Sequence, residues 1–241
     1  MNSVNNKKKL SKNQDVPIGY YDKVYIKKRG IQSKWHHQKF NFVRNKFKKK
    51  YKHLDYACAS GTFINSLKNK NLSIGLDLSR KQISYAKKYE NSFHKFKVAT
   101  IPLPYKNSTF DIITVLELIE HCSEKENSFI FNELYRVLKP GGKIIITTPN
   151  YSSFWPLLEK LVSLFGSVNY EHQHINLFNK KKLYNFLSKK EFNQIYIETF
   201  IYFAPFFAAL NWKLSNFIEK IEKFIKTPFG FLLCATFVKK K

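Results

Sequence analysis

The chain has 241 residues, 44% of them hydrophobic and 17% aromatic, which suits one large domain or a domain with a lid and allows a sizeable core. Its three cysteines, Cys58, Cys122 and Cys234, are scattered and odd in number, which excludes a disulfide framework and points to a reducing compartment. The formal charge of +25 would attract an anionic partner: nucleic acid, anionic lipid or a phosphate-bearing substrate. Lysine is spread along the whole chain and is plentiful together with asparagine, isoleucine and phenylalanine, so biased composition is the first reading of that charge.

Met1 to Gln14 is polar and lysine-rich with no apolar run behind it, so no signal peptide is expected, and residues 1–19 read as a disordered basic tail. Tyr20 to Lys50 holds seven aromatic residues among many lysines. The loosely helical apolar spacing from Trp35 through Phe47 predicts a helical N-terminal cap. Lys52 to Asp55 is a short first strand, Gly61 to Lys68 a helix, Leu72 to Asp77 a second strand, and Ser79 to Tyr89 a helix with Ser79 as N-cap. Phe93 to Val98 is a third strand, followed by a loop with Pro102 and Pro104.

The apolar run FDIITVL, Phe110 to Leu116, suits a central parallel strand buried on both faces. A helix is expected over Glu124 to Leu138, stopped by Lys139-Pro140-Gly141-Gly142, and KIIITT, Lys143 to Thr148, is a fifth strand. Such alternation means a parallel sheet with helices on both faces. Beyond Pro149 the pattern predicts a helix over Ser153 to Phe165, a loop over Asn169 to Phe178 and a helix over Asn179 to Lys189 capped by Asn179. Two late strands follow, Phe192 to Thr199 and Phe231 to Val238, separated by an apolar stretch from Phe200 to Trp212 and an amphipathic helix up to Lys226.

The organising stretch is LDYACASG followed by IGLDLS. Small residues at Ala57, Ala59, Ser60 and Gly61 let backbone approach a ligand, the next helix aims free N–H groups at it, and Asp77 ends the second strand about 20 residues past the turn, where a carboxylate can accept ribose hydroxyls. Alone, that pattern leaves a dinucleotide and S-adenosylmethionine (SAM) equally open.

LDYACASG, IGLDLS, FDIITVLELIEH and LKPGGKIIITTPN, in this order and spacing, resemble the class I SAM-dependent methyltransferases, in particular the branch that includes ubiquinone-biosynthesis O-methyltransferases and methyltransferases of glycan and lipid pathways. The likeness runs from Tyr51 to Asn150, with a fainter echo in HINLF. It implies a seven-stranded, Rossmann-like sheet, mostly parallel with its last strand antiparallel, helices on both faces, and a domain over 51–241 with an apolar lid built from insertions at about 151–178 and 200–228. It implies SAM as cofactor. Asp55 would lie near the SAM amino group, and Ala57, Ala59 and Gly61 would stand at the three glycine positions of the turn. Asp77 and Leu78 would meet the ribose, Thr100 and Ile101 the adenine, and Leu116 and Glu117 the methionine part. Alanine fits the turn without strain only at negative φ.

His174 corresponds to the histidine of the family's H-x-x-F-like motif, a candidate proton acceptor, against a purely structural histidine bridging loop and strand. Glu117, Glu120 and His121 could share one face around a divalent cation, but local packing is the preferred reading, and no metal is assigned. Trp35, His36 and His37 precede the first strand where relatives close a cap over SAM, and could touch its methionine carboxylate; Trp35 could equally staple the cap helix to the core. The expected activity is methyl transfer from SAM to a small-molecule, glycan or lipid-linked acceptor, at oxygen. The expected place is cytoplasmic, with peripheral contact at an anionic inner membrane surface through residues 200–212; a lid or a dimer face are the alternatives for that stretch. Nucleic acid is disfavoured, since no base-methylase or RNA-binding motif is visible. A non-catalytic SAM-fold protein remains the other alternative, and the oligomeric state stays open.

Overall fold

The computed structural model describes residues 16–47, 50–67, 71–159, 174–189, 192–225 and 227–240. The tail over 1–15 and much of the helix and loop expected over 153–165 and 169–178 lie outside them. Two helices, α1 (Tyr20–Ile26) and α2 (Ile31–Arg44), form the cap. Residues 16–19 are tied down rather than free, since the Gln82 side chain bonds Val16 O and Gly19 N.

Seven strands follow: β1 (His53–Tyr56), β2 (Ser73–Asp77), β3 (His94–Val98), β4 (Phe110–Leu116), β5 (Leu138–Pro149), β6 (Phe192–Phe200) and β7 (Leu232–Lys239). They form one sheet in the order β3-β2-β1-β4-β5-β7-β6, parallel throughout except for β7, which runs antiparallel to both its neighbours. The chain order reverses between β1 and β4, which places the ligand crevice of such a sheet outside the carboxyl ends of those two strands.

The intervening helices are α3 (Thr62–Asn65), α4 (Arg80–Ala86), α5 (Glu124–Val137), α6 (Lys180–Ser188), α7 (Ala204–Phe207) and α8 (Trp212–Glu222). Three of their starts follow from local capping chemistry, two of them as expected from the sequence. Ser79 and Asn179 cap α4 and α6, and Ser123 with Glu126 closes a capping box at α5. β5 begins five residues earlier than its β-branched run suggests. Leu138 already pairs with Phe110, and Gly141 at φ 71° turns the chain through an irregularity before Lys143 meets Ile112. The proline-glycine run therefore bends a strand instead of only ending a helix.

One face of the sheet buries Leu54, Ile113, Val115 and Ile146 against Phe131 and Leu134 of α5 and Leu183 and Leu187 of α6. The other buries Ile112, Ile145 and Leu232 against Phe40 and Val43 of α2 and Phe63 of α3. The cap is thus one of the two helical layers. About half of the apolar stretch from Phe200 to Trp212 is inside: Phe200, Ile201, Tyr202, Ala204, Pro205 and Ala208 are buried, while Phe203 and Leu210 are exposed. No helix among the described residues is long and apolar enough to cross a membrane.

Polar residues interrupt the core at His53, which is fully buried. Its Nε2 bonds Thr114 Oγ1 at 2.8 Å, its Nδ1 lies 3.2 Å from Ser73 Oγ, and Phe47, Tyr51 and Phe63 pack around the ring. Burial pushes its imidazole down from 6.5 to about 3. The unfolded chain therefore binds a proton that the folded one refuses, so this group's stabilisation is complete above pH 6.5 and is lost as pH falls toward 3. In His53→Gln that loss disappears. Measured by urea unfolding, the stability advantage of the parent over the variant should shrink on acidification from pH 6 to 4 by about 1.4 kcal/mol per pH unit. Parallel pH profiles for the two proteins would contradict this account.

Candidate functional site

The ends of β1, β2 and β4 carry the functional side chains because a parallel sheet delivers all three termini to one edge. His53 and Asp55 are two residues apart and so point to the same face of β1. Asp55 pairs in register with Thr114. The Thr114 hydroxyl donates to Asp55 Oδ1 at 2.5 Å and accepts from His53 Nε2–H, so His53 and Thr114 fix the rotamer of the acid. Burial pushes the Asp55 carboxyl up from 3.8 to about 7; the Thr114 bond opposes this, the Asp77 charge adds to it, and Lys39 draws it back. A cation placed beside Asp55 would ionise it.

After β1 the chain makes a turn with φ of 63° at Ala57, 46° at Ala59 and 75° at Gly61. The condition under which alanine fits this turn without strain, a negative φ, is not met at either position. All three sites are left-handed, so the backbone takes the shape that glycines usually supply, at a cost of about 1–2 kcal/mol for each alanine. Gly61 has a second constraint, since a Cβ there would lie 2.6 Å from the Phe96 ring. The turn is held by Asp77, whose Oδ2 accepts Ala59 N–H and whose Oδ1 accepts Ser79 N–H, both at 2.8 Å. Each oxygen keeps a lone pair for a further donor. Burial raises its pKa and the two backbone bonds pull it down.

Leu78 is exposed beside Asp77. Thr100 and Ile101 sit past β3, with the Thr100 hydroxyl bonded to Pro102 O. Leu116 packs on the cap-side core, and Glu117 takes φ 53° with its N–H on Thr147 O. The Glu117 carboxylate is ion-paired with Lys39 of α2, a buried lysine that sequence reasoning passed over. Lys39 looked like one of many surface lysines. The signal that could have found it is its place on the apolar side of α2, one residue before Phe40 and four before Val43. Of the three cap candidates, His36 is buried against Tyr21 and Phe40, and His37 stacks on Tyr25 with Nε2 on its carbonyl. Both staple the cap. Trp35 is stacked on Phe231 and tilted against Trp155.

His174 is brought to the short 3-10 turn over Ile119–His121. Residues 175 and 176 donate backbone N–H to Glu120 O, and the His174 ring lies 4.7 Å from that of His121. Its Nδ1 contacts the Glu159 carboxylate and lies 2.6 Å from the Tyr151 hydroxyl, which donates to Glu159 at 2.9 Å. Burial disfavours its charged form, but the Glu159 contact and the Glu120, Glu159 and Glu117 charges outweigh that and hold its pKa above the ordinary value.

Glu120 is fully buried; its Oε2 accepts from Thr148 at 3.0 Å, its Oε1 has no hydrogen-bond partner among the described residues, and burial pushes it up to about 7. Glu120, His121 and His174 offer ligand atoms within 4.8 Å of one another, a set that could hold a divalent cation. The trio suggested by spacing is not the one that forms. Glu117 turns away to Lys39, and His174 takes its place.

The residues present fit SAM by their donor chemistry. The crevice edge offers two carboxylates, Asp55 and Asp77, to a cationic nucleoside with a diol, and one lysine, Lys39, to a carboxylate. The methyltransferase domain family matches residues 54–146. An uncharacterised protein of Methanocaldococcus jannaschii is 32% identical over 106 residues, 44% of each chain. The norajmaline N-methyltransferase of Rauvolfia serpentina is 31% identical over 129 residues, 50% of this chain and 44% of that enzyme. The chain thus spans less than half the length of either relative. A solved SAM-dependent methyltransferase from Thermotoga maritima superposes with a TM-score of 0.66 at 17% identity, covering 91% of this chain and 95% of that one. The fold is therefore the Rossmann-like methyltransferase fold.

Restoring glycine at the left-handed turn should stabilise the protein. The strain relieved, about 1–2 kcal/mol, exceeds the roughly 0.4–1 kcal/mol that glycine's extra freedom costs through the unfolded chain. Ala59→Gly should raise the melting temperature by about 2 °C by calorimetry. A lowered melting temperature would mean that the alanine methyl packs favourably enough to offset its backbone.

Proposed function

We propose that this chain, whose residues 54–146 match the methyltransferase domain family, transfers a methyl group from SAM to the oxygen of an acceptor with a large apolar part, such as a lipid-linked precursor. The observation that carries the first half is the pair of buried carboxylates at the β1 and β2 ends, one of them clamping a left-handed turn. The acceptor half is supported by the aromatic run Trp155, Trp35, Phe231 and Phe203, whose rings contact one another in sequence.

When bound, SAM supplies a methyl group already activated on a sulfonium, so the protein's task is alignment and exclusion of water. Asp77 would take the ribose hydroxyls on its free lone pairs. Asp55 would take the amino group, and Lys39 the carboxylate. The backbone at Thr100 and Ile101 would meet the adenine edge, with Leu78 against its face. The glutamates around His174 favour its charged form and raise its pKa. The ring can accept a proton from an acceptor hydroxyl only in its neutral form, so this role strengthens as pH rises.

Two outcomes test the reading. Titrating SAM into the protein by calorimetry should give saturable one-site binding that Asp77→Ala weakens about 10–100-fold, the cost of about 1.5–3 kcal/mol for hydrogen bonds to a charged group. With SAM labelled on its methyl group and a crude lipid extract as acceptor, label should enter the organic phase. Undiminished binding by the variant, or label found only in water-soluble product, would overturn the corresponding half.

The pH dependence follows from Asp55. Its carboxyl titrates near 7 in the free protein and must be ionised to hold a cation, so SAM binding releases a proton and tightens as pH rises. From pH 6 to 8 the dissociation constant should fall about tenfold in the parent and stay flat in Asp55→Asn.

A further inference from the structure

The outer surface of α8 combines two features that soluble helices rarely show together. Leu214, Phe217 and Ile221 of α8, with Phe224 in the turn that continues it, recur at spacings of three, four and three, which puts them on one stripe, and Leu210 lies just ahead of the helix, before its N-cap Asn211. All five are exposed, Leu210 and Phe224 by more than 80%. Lys213, Lys220 and Lys223 lie exposed beside the stripe, with no ion pair among the described residues. The helix does contain acids, but both are used inward. Glu219 pairs with the buried Lys34 at 2.6 Å. Glu222 accepts the N–H groups of Phe203 and Ala204 at 2.6 and 2.7 Å and so anchors α8 to α7. Ser215 faces inward and donates to Ala204 O, and Asn216 accepts from Lys34. The solvent side is left apolar and cationic, with no negative charge.

We propose that this face of α8 docks in the plane of an anionic lipid surface. The charge decides between the candidate occupants. A second copy would bring another chain of net charge +25 against the same lysines, which repels, whereas anionic headgroups are complementary to them. The apolar residues of α8 share one face, flanked rather than interrupted by its lysines, and that arrangement suits partial burial at the headgroup boundary. Among the described residues no helix is long and apolar enough to cross a bilayer. The proposal does not depend on the methyl-transfer reading, although Phe203, held by Glu222, joins this face to the aromatic run beside the crevice.

Flotation with phosphatidylcholine vesicles containing about one-third phosphatidylserine tests it. The full chain should float with these vesicles and stay behind with pure phosphatidylcholine. Phe217→Ser/Ile221→Ser/Phe224→Ser should reduce the bound fraction at least tenfold with an unchanged melting temperature, because all three side chains face solvent. Lys213→Glu/Lys220→Glu/Lys223→Glu should do the same. Lys95→Glu/Lys97→Glu/Lys106→Glu, which changes total charge equally on exposed residues elsewhere, should still float. If the serine variant floats as well as the parent, or both charge variants fail alike, the binding is diffuse attraction to a basic chain and the proposal falls. It also falls if sedimentation shows a dimer that the serine variant dissociates, or if only an acidic protein, and no vesicle, is bound through the stripe.

Discussion

The carboxylate of Asp77 is the joint on which the crevice depends. One oxygen holds the backbone N–H of Ala59 and the other that of Ser79, so a single side chain ties the turn after β1 to the start of α4 after β2. Because β1 and β2 pair in register from His53 with Ser73 to Tyr56 with Leu76, those two segments must leave the sheet side by side, and the acid sits where they diverge. Two donated hydrogen bonds compensate much of the cost of burying the charge there. They also explain how a turn with two alanines keeps a left-handed course. The strain at Ala57 and Ala59 persists because the sheet, the Asp77 bonds and the packing of Gly61 on Phe96 over-determine the loop.

The neighbouring acid follows a different logic. Asp55 receives one hydrogen bond from Thr114, which is itself backed by His53, and burial dominates its titration. The pair therefore divides the work. Asp77 is a fixed acceptor already committed to backbone, while Asp55 is poised to change charge when a cation arrives. Lys39 and Glu117 supply an ion pair at the far side of the same edge. Opening that pair for a ligand carboxylate would leave Glu117 beside the Glu120, His121 and His174 cluster, so the two halves of the crevice are electrostatically linked.

The cap layer connects this edge to the rest of the surface. α2 turns Lys39 and Phe40 toward the sheet and presents Lys34 to α8 through Glu219 and Asn216. The acids of α8 are thus consumed in holding the cap together, and its opposite side is left without counter-charge. Stability of the cap and the character of the exposed face arise from the same inward pairing.

The sequence alone determined what depends on neighbours along the chain. The strand runs, the caps at Ser79 and Asn179, the seven-stranded sheet with its antiparallel last strand and the acids near the ends of β1 and β2 are set by period, by turn chemistry and by a resemblance concentrated in residues 51–150, and the fold and the match of residues 54–146 to the methyltransferase domain family agree with them. Only the tertiary structure decided what depends on pairing between distant elements. It drew His174 to Glu120 and His121 and turned Glu117 to Lys39, it buried Phe200 to Tyr202 with Ala204, Pro205 and Ala208 while exposing the stripe of α8, and it gave Ala57 and Ala59 a positive φ. Each of these outcomes is a competition among many partners for one rotamer, one face or one backbone basin, and lysine 39 among so many lysines carries no local mark of having won.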